Sequence, residues 1–369
     1  MTDGAVTELA LERAFTSLRG RVPRVVLTEL PTRVHRLPAL TATLGAADIW
    51  VKRDDESGHL YGGNKPRKLE FVLADALAAG KRSVLTFGGI GTHHGLATAI
   101  CARAVGLRAI LLLLKQPVTE HVRRGLLLDL AAGAELHYAP SVARLSVRTL
   151  QVCAREIARG QVPYVIPAGG TSAHGVVGYI NAAFELREQI RAGVLPEPAW
   201  IFVALGTGGT VAGLVAGLKL AGLRSRVAAV LVTDIRPPSA SVLARIGSKS
   251  WSLLRQWSPA LPDLALSAGD FRILETSLGA GYGAPTEAAR HARDMLERLE
   301  GLHLETTYTA KCVAGMIEAL HQGGHGGGPV LFWNTYSSVD PASHLGPLPG
   351  YQRLPRVFHQ FFTGPALLD

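Results

Sequence analysis

The chain has 369 residues, of which 47% are hydrophobic and 18% are charged. This composition excludes a disordered chain, and the length is enough for two domains with a large buried core. The 38 basic and 29 acidic side chains give a formal net charge of +9, but no long run of lysine and arginine occurs. We therefore favour a basic enzyme surface over a nucleic-acid partner, which is the competing interpretation of the charge.

Hydropathy and cysteine spacing narrow the protein class further. The longest apolar run, at 109–114, is too short to cross a bilayer, so we expect no membrane partner. Acidic residues interrupt the first twenty positions, which argues against a signal peptide. Cys101, Cys153 and Cys312 lie far apart and form neither a metal-binding spacing nor a disulfide framework. These features predict a cytoplasmic protein without a bound metal.

Short β-type runs alternate with Ala/Leu-rich helical stretches along the chain. The first series has predicted strands at 49–52, 83–87, 109–114 and 136–138, separated by predicted helices at 67–79, 94–105 and 121–132. The second series has predicted strands at 164–166, 200–205, 227–233 and 330–333, with helices at 178–191, 210–220 and 286–300. The segment 239–266 is predicted to be irregular. This alternation predicts an α/β protein with a parallel sheet and helical crossovers.

The most distinctive local sequence is Gly-Gly-Asn-Lys-Pro-Arg-Lys-Leu-Glu at 62–70. The two glycines allow the backbone to turn and to approach a ligand closely. Lys65 stands at the junction of loop and helix, beside Arg67 and Lys68. Partial burial and neighbouring cations would lower its pKa and favour the neutral amine that forms a Schiff base. The alternative is a set of three solvated cations, although cations at a helix N-terminus are electrostatically disfavoured.

A second signal is Val-Ala-Leu-Gly-Thr-Gly-Gly-Thr at 203–210, where an apolar strand enters a glycine turn and then a helix. Backbone N–H groups at such a helix start, with two threonine hydroxyls, form a cup for a phosphate. The segment lacks the Gly-Lys-Ser/Thr of a nucleotide P-loop, while Asp234 on the next strand's end keeps a dinucleotide alternative open. Combined with a candidate Schiff-base lysine, the cup favours pyridoxal phosphate.

A third strand-to-helix junction is Gly-Gly-Ile-Gly-Thr-His-His-Gly at 88–95. Its N–H groups and the Thr92 hydroxyl suit a substrate carboxylate. His93 and His94 are adjacent, so their side chains should diverge instead of binding one metal ion. The acidic run at 54–56 is interpreted as a loop with local hydrogen bonds and not as a metal cluster.

These three segments, in this order, resemble fold-type II pyridoxal-phosphate enzymes, in particular the D-cysteine desulfhydrase and 1-aminocyclopropane-1-carboxylate deaminase family. The resemblance spans about 22–339, with support from stretches at 50–55, 163–170, 281–283 and 308–311. It implies a tryptophan synthase β-like fold of two open, twisted, mostly parallel sheets flanked by helices. It also implies a homodimer. The implied divisions are an N-terminal arm (1–21), a large cofactor-binding domain (22–61 and 166–345), a small domain (62–165) and a C-terminal tail (346–369).

The resemblance implies roles for individual residues. Lys65 matches the lysine that binds the cofactor covalently and moves the α-proton, and Thr92, Tyr282 and Tyr308 complete the implied catalytic set. The implied cofactor-binding residues are Lys65, Asn64, His93, Gly206, Thr207, Gly208, Gly209, Thr210, Thr309 and Thr335. The implied substrate-binding residues are Thr92, His93, His94 and Gly95.

Several positions depart from the family pattern. Thr92 replaces a serine, and His93 replaces an asparagine that lies against the cofactor's 3′-oxygen. Thr309 stands where the cyclopropane deaminases have a glutamate. The segment 334–338 stands where the family has His-Thr-Gly-Gly, and the bulkier Tyr336 and Ser337 replace its two glycines. A hydroxyl at Thr309 or Thr335 facing the pyridine nitrogen would favour elimination over transamination.

The function implied by the resemblance is a lyase or deaminase. It would remove the α-proton of a small amino acid, eliminate a β-substituent, and release a 2-oxo acid and ammonia. Two alternatives within the same fold are a racemase or β-replacement enzyme of specialised metabolism and a cofactor-bound protein that has lost turnover.

Overall fold

The computed structural model describes residues 8–45, 48–323 and 326–367, so the first seven residues of the predicted arm lie outside it. The helices in these ranges are α1 (Ala10–Ala14), α2 (Pro38–Leu44), α3 (Asn64–Ala78), α4 (His93–Ala104), α5 (Glu120–Ala131), α6 (Val142–Ala158), α7 (Ala173–Arg191), α8 (Gly209–Ala221), α9 (Ala240–Trp257), α10 (Glu287–Glu300), α11 (Thr309–His321) and α12 (Ala342–Leu345). The strands are β1 (Val34–Arg36), β2 (Ile49–Lys52), β3 (Ser83–Gly89), β4 (Arg108–Leu114), β5 (Glu135–Ala139), β6 (Tyr164–Val165), β7 (Trp200–Leu205), β8 (Arg226–Leu231), β9 (Arg272–Leu274) and β10 (Val330–Trp333).

The strands form two sheets. One has six strands in the order β1-β2-β10-β7-β8-β9, in which β1 is antiparallel to β2 and the other pairs are parallel. The other has four parallel strands in the order β5-β4-β3-β6. The central strand β10 is buried along its whole length, which explains its unbroken apolar sequence. The predicted α/β fold with two mostly parallel sheets is confirmed.

Helices cover both faces of each sheet. Leu186 of α7 and Leu214 of α8 pack on one face of the six-stranded sheet, and Met316 of α11 packs on the other. On the four-stranded sheet, Leu126 of α5 packs on one face and Val152 of α6 on the other. No helix in the described ranges is both long enough and apolar enough to cross a bilayer.

The segment predicted to be irregular at 239–266 contains helix α9, so that prediction was wrong over 240–257. The Ser239 hydroxyl caps this helix by accepting the Val242 N–H. Leu243, Trp251 and Leu254 are buried on one face. The buried positions 243, 247, 250, 251 and 254 follow helical spacing, so the sequence did indicate this helix and the prediction overlooked it. Helix α6 was also absent from the prediction.

Both ends of the described chain pack on the body of the protein. Leu11 and Leu18 lie in an apolar cluster with Phe184 of α7. Near the other end, Phe358 and Phe361 join the core of the four-stranded sheet. The segment named a tail is therefore part of a core, while the limits of the two domains remain a prediction.

Candidate active site

A cleft of about 290 Å³ lies where strands of both sheets reach their carboxyl ends. Loops that follow β3, β7 and β10 contribute to its walls. Most predicted site residues line it, namely Asn64, Lys65, Thr92, His93, His94, Gly206, Thr207, Gly208, Thr210, Tyr282, Tyr308 and Thr335. Gly95, Gly209 and Thr309 do not line it. The three segments singled out in the sequence, 62–70, 88–95 and 203–210, therefore meet in one cavity.

Helix α3 carries Lys65 on its first turn. Gly63 precedes the helix with φ +83°, and a Cβ there would lie 2.7 Å from the Thr335 carbonyl oxygen and 2.9 Å from that of Tyr336. Only glycine accommodates this close approach of two backbone segments. Burial lowers the pKa of Lys65 to about 8, against a smaller opposing effect of Glu305. The Lys65 amine is thus partly neutral near physiological pH.

A buried ion network fixes α3 to the turn after β2 and to helix α7. The Arg67 guanidinium donates to both carboxylate oxygens of Asp54, at 2.8 and 3.0 Å, and to both of Glu185, at 2.9 and 3.0 Å. Lys52 is a second buried cation paired with Glu185. Tyr179 and Trp333 also donate to Asp54. The Asp54 contacts therefore extend well beyond the local hydrogen bonds predicted for this acidic turn.

The glycine-rich turn at 206–210 opens helix α8. Gly208, with φ +91°, precedes the helix and has no side chain to cap it. A Cβ at Gly209 would lie 2.8 Å from Thr171 Oγ1 and 3.2 Å from Lys68 Nζ. Free N–H groups, hydroxyls and an ammonium therefore converge on this end of the cleft, a combination suited to a phosphate.

Lys68 is a functional candidate that the sequence prediction omitted from the site. It is buried, lines the cleft, and donates from Nζ to the Gly169 carbonyl oxygen at 3.2 Å. Burial, with a further contribution from Lys65, holds its pKa well below the ordinary value. Its spacing of three residues from Lys65 places both on one side of α3, which was the available signal.

The third segment forms the start of α4. Thr92 caps this helix by accepting the Gly95 N–H at 3.2 Å. His94 turns toward β3 and contacts the Thr86 hydroxyl at 3.0 Å, whereas His93 Nε2 lies 3.2 Å from His121 Nε2. The two adjacent histidines diverge, as predicted. Burial, then His121 and Lys65, lower the pKa of His93 well below its ordinary value, so its imidazole is neutral at pH 7.

A tyrosine pair and one carboxylate form another wall. The Tyr282 and Tyr308 hydroxyls are 2.6 Å apart, so one donates to the other. Among the described lining residues of the cleft, Glu305 is the one acidic side chain. It accepts the N–H groups of Tyr308, at 2.9 Å, and Thr309, at 2.7 Å, and so caps α11. The sequence analysis missed Glu305, although an acid just before a helix was a usable signal.

The Thr309 hydroxyl contacts Glu305 Oε1 at 3.1 Å, so it is directed toward this cap. Its assignment to the cofactor stays a prediction. The loop after β10 contains Thr335, whose carbonyl oxygen accepts the Asn64 N–H at 3.2 Å. Nearby, the buried Asn334 Nδ2 has no hydrogen-bond partner among the described residues.

Comparison with known proteins identifies the family. The model of the pyridoxal-phosphate-dependent enzyme family matches residues 25–335, most of the chain. The chain belongs to this family. Among its relatives are D-cysteine desulfhydrases of Salmonella newport (strain SL254) and Salmonella typhi, each 33% identical over 323 residues, covering 85% of this chain and 94% of theirs. A solved structure described as an ACC deaminase homologue has a TM-score of 0.73 and 28% identity, covering 90% of this chain and 97% of its own.

Membership confirms the predicted family, the enzyme class and the pyridoxal phosphate cofactor. The cleft fits that cofactor on its own chemistry. The Lys65 amine, with a pKa of about 8, is suited to form a Schiff base with the cofactor's aldehyde. The start of α8 and Lys68 are suited to bind the cofactor's phosphate. In the described ranges, no three His, Cys, Asp or Glu side chains are arranged to hold a metal ion.

Proposed function

We propose that this chain is a pyridoxal-phosphate-dependent lyase that eliminates the β-substituent of a small amino acid and releases a 2-oxo acid and ammonia. The D-cysteine desulfhydrases among its relatives make D-cysteine the first substrate to test. The observation that carries the proposal is the cleft itself, where a partly neutral lysine, a helix start suited to a phosphate and the turn that begins at Thr92 face one cavity. The bound cofactor would supply the electron sink that acidifies the α-carbon.

Lys65 would hold the cofactor and then take the α-proton at Nζ. Its lowered pKa supports both roles, because each needs an amine with a free electron pair. The N–H groups at the start of α4 and the Thr92 hydroxyl would bind the substrate carboxylate. This arrangement would hold the α-carbon in reach of Lys65, and such orientation lowers a barrier by on the order of 7 kcal/mol in well-aligned cases.

The turn 206–210 and Lys68 would bind the phosphate. The Asn64 amide donates to the Thr210 hydroxyl at 3.1 Å, so the lysine-bearing turn and the phosphate cup are linked directly. His93 and Asn64 would border the cofactor ring, with Thr335 toward its pyridine nitrogen. A hydroxyl at that place leaves the nitrogen uncharged, which favours elimination over transamination.

The Tyr282 and Tyr308 pair would hold a proton for the leaving group. Burial raises the pKa of both hydroxyls, so both stay protonated at neutral pH. Because one hydroxyl donates to the other, the second keeps a proton to donate into the cleft. A departing thiolate would accept that hydrogen bond.

The covalent role of Lys65 is tested by reduction with borohydride and peptide mapping. The purified protein should be yellow, and the reduced label should be found on Lys65. Lys65→Ala should abolish labelling and turnover, whereas Lys81→Ala, outside the cleft, should change neither. A label on Lys68 or on any other lysine would overturn the assignment.

The reaction is tested with D-cysteine, L-cysteine, β-chloroalanine, D-serine and 1-aminocyclopropane-1-carboxylate. We expect ammonia and a 2-oxo acid from D-cysteine, and none from the cyclopropane substrate. Exchange of the α-proton for deuterium without ammonia would instead support racemisation. A change in the visible spectrum with no product from any substrate would support a protein without turnover.

We also propose a cytoplasmic homodimer. The cysteines of the described chain are free thiols, which suits a reducing compartment. Helix α6 exposes Leu150 and Ile157, at 71% and 57% of their surfaces, and a second subunit could cover them. Light scattering of the purified enzyme should give twice the mass of one chain, and a monomer at micromolar concentration would refute the dimer.

A further inference from the structure

A second cavity adjoins the proposed active site. It has a volume of about 350 Å³ and shares Tyr61, Thr92, His93, Tyr336 and Ser337 with the cleft. Its far wall is one face of α5, and its rim is the segment 338–341. A substrate held by its carboxylate at the Thr92 turn therefore has open space for a longer side chain on the far side of His93. We call this space the side chamber.

The side chamber contains a buried acid, one of whose carboxyl oxygens has no hydrogen-bond partner in the part of the chain that the structure describes. Asp129 of α5 lines it and exposes only 1% of its surface. Its Oδ1 has no hydrogen-bond partner among the described residues. By contrast, the buried acids Asp54 and Glu185 both receive hydrogen bonds from Arg67. Burying a carboxyl group without a partner is costly, so the exception needs a reason.

The arginine that lines the side chamber, Arg124, already pairs with another acid. Among the described residues that line the side chamber, Arg124 carries the one guanidinium, and it donates to both carboxylate oxygens of Asp340, at 2.8 and 2.9 Å. Burial raises the pKa of Asp129, with no cation acting against it. A ligand that brings its own positive charge would pair with this carboxyl group, whereas an anionic or purely apolar side chain would leave it unpartnered.

We propose that the side chamber receives the substrate's side chain and that Asp129 selects amino acids whose side chain ends in an amine. This inference rests on the proposed β-elimination and names its substrate class. The test compound is S-aminoethylcysteine. Its Cα–H bond would break with the proton going to Lys65, and its Cβ–S bond would break with the electron pair leaving on sulfur. The thiolate takes a proton and departs as cysteamine, and water converts the remainder to pyruvate and ammonia.

The experiment compares S-aminoethylcysteine with S-propylcysteine, which has a methyl group in place of the ammonium. Dissociation constants come from the change in visible absorbance of the holoenzyme, and kcat/KM comes from pyruvate release, for both enantiomers. A charge-assisted hydrogen bond between the ammonium and the buried Asp129 side chain should favour the amine by about tenfold or more. Asp129→Asn should bring the ratio of the two compounds close to one and leave D-cysteine turnover within about twofold.

Two further variants separate selection from damage to the fold. Glu120→Gln changes an exposed acid on the same helix and should keep the full preference. A Cβ at Gly125 would have only the Gly91 Cα within reach, at 4.0 Å, so Gly125→Leu fits the helix and fills the side chamber. Gly125→Leu should weaken binding of both long compounds by about tenfold or more while D-cysteine is still processed. This variant tests the side chamber even if Asp129→Asn does not fold.

The outcomes distinguish this inference from the function on which it rests. Equal binding of the two compounds by the wild type, or a preference that survives Asp129→Asn, overturns the role of Asp129 even if D-cysteine is eliminated. A binding preference that depends on Asp129, without elimination of any compound, supports the side chamber and refutes the proposed β-elimination.

Discussion

Replacing Arg67 by methionine should strongly destabilise the protein. The side chain of Arg67 exposes about 1% of its surface and makes five hydrogen bonds, four to the carboxylates of Asp54 and Glu185 and one to Thr32 at 3.0 Å. Methionine fills similar space but leaves two buried carboxylates with Lys52 as the remaining cation of the network. Breaking a buried ion pair on one side costs about 3–5 kcal/mol. We expect the free energy of unfolding to fall by that amount.

The measurement is urea unfolding followed by circular dichroism, on the apoprotein, with Arg33→Met as the control. Arg33 pairs with Glu56 on the surface, where the two side chains are 59% and 39% exposed. An exposed pair contributes about 0.2–1 kcal/mol, so the control should stay close to the wild type. A loss below about 1 kcal/mol in Arg67→Met would show that this network does not hold α3 in place.

The pH dependence adds a check on the cause. Burial opposes ionisation of Glu185, but Arg67 and Lys52 nevertheless hold its pKa well below the ordinary value. The ionised carboxyl group therefore stabilises the fold above its unfolded pKa, and this contribution is lost as the pH falls through the folded pKa. Without Arg67 the folded pKa rises, so protonation relieves the unpaired charge. The gap between variant and wild type should narrow in acid, and a constant gap would refute the electrostatic explanation.

Three further predictions concern the cleft. Because burial lowers the pKa of Lys65 to about 8, the rate at which the apoprotein captures pyridoxal phosphate should rise with pH and level off above about 8, as followed by visible absorbance; a flat profile would contradict it. Gly63→Ala forces a Cβ against two carbonyl oxygens at φ +83° and should destabilise the protein by about 1–3 kcal/mol in urea unfolding, whereas Gly80→Ala, at φ +67° in open space, should cost less. Tyr308→Phe removes one hydroxyl of the pair with Tyr282 and should lower kcat by about a hundredfold in steady-state assays, with the affinity for pyridoxal phosphate unchanged.

The sequence predicted those parts of the site that depend on local backbone chemistry. The roles of Gly63, Lys65 and the turn at 206–210 follow from their residue types and from the few residues beside them in the sequence. Strands such as β7 and β10 were predictable because burial on both faces requires an apolar run. Asp129 was not predictable in the same way, because its role depends on which distant groups surround it and no local pattern records that. Glu305, by contrast, accepts the Thr309 N–H four residues later, and that local signal was overlooked.

Helix α9 is a different kind of omission in the fold. Its buried positions 243, 247, 250, 251 and 254 follow helical spacing, so the periodicity was present in the sequence and was overlooked. Tertiary packing of Leu243 and Trp251 against the body decides its structure. Lys68 is a further case, because a set of three solvated cations was left open as the alternative for this segment and the fold buries Lys68.

Lys68 also implies a conflict between stability and function that can be measured. Its ammonium is buried beside Lys65, and burial, with that neighbour, holds its pKa well below the ordinary value. Removing such a group relieves a desolvation cost, so Lys68→Met should make the apoprotein more resistant to urea. The same change removes a cation from the phosphate end of the cleft and should weaken binding of pyridoxal phosphate by about tenfold or more. Since a ligand that binds only the folded state stabilises it, added cofactor should raise the unfolding midpoint less in the variant than in the wild type. An apoprotein that is less stable, with cofactor affinity unchanged, would mean that Lys68 serves the fold and not the phosphate.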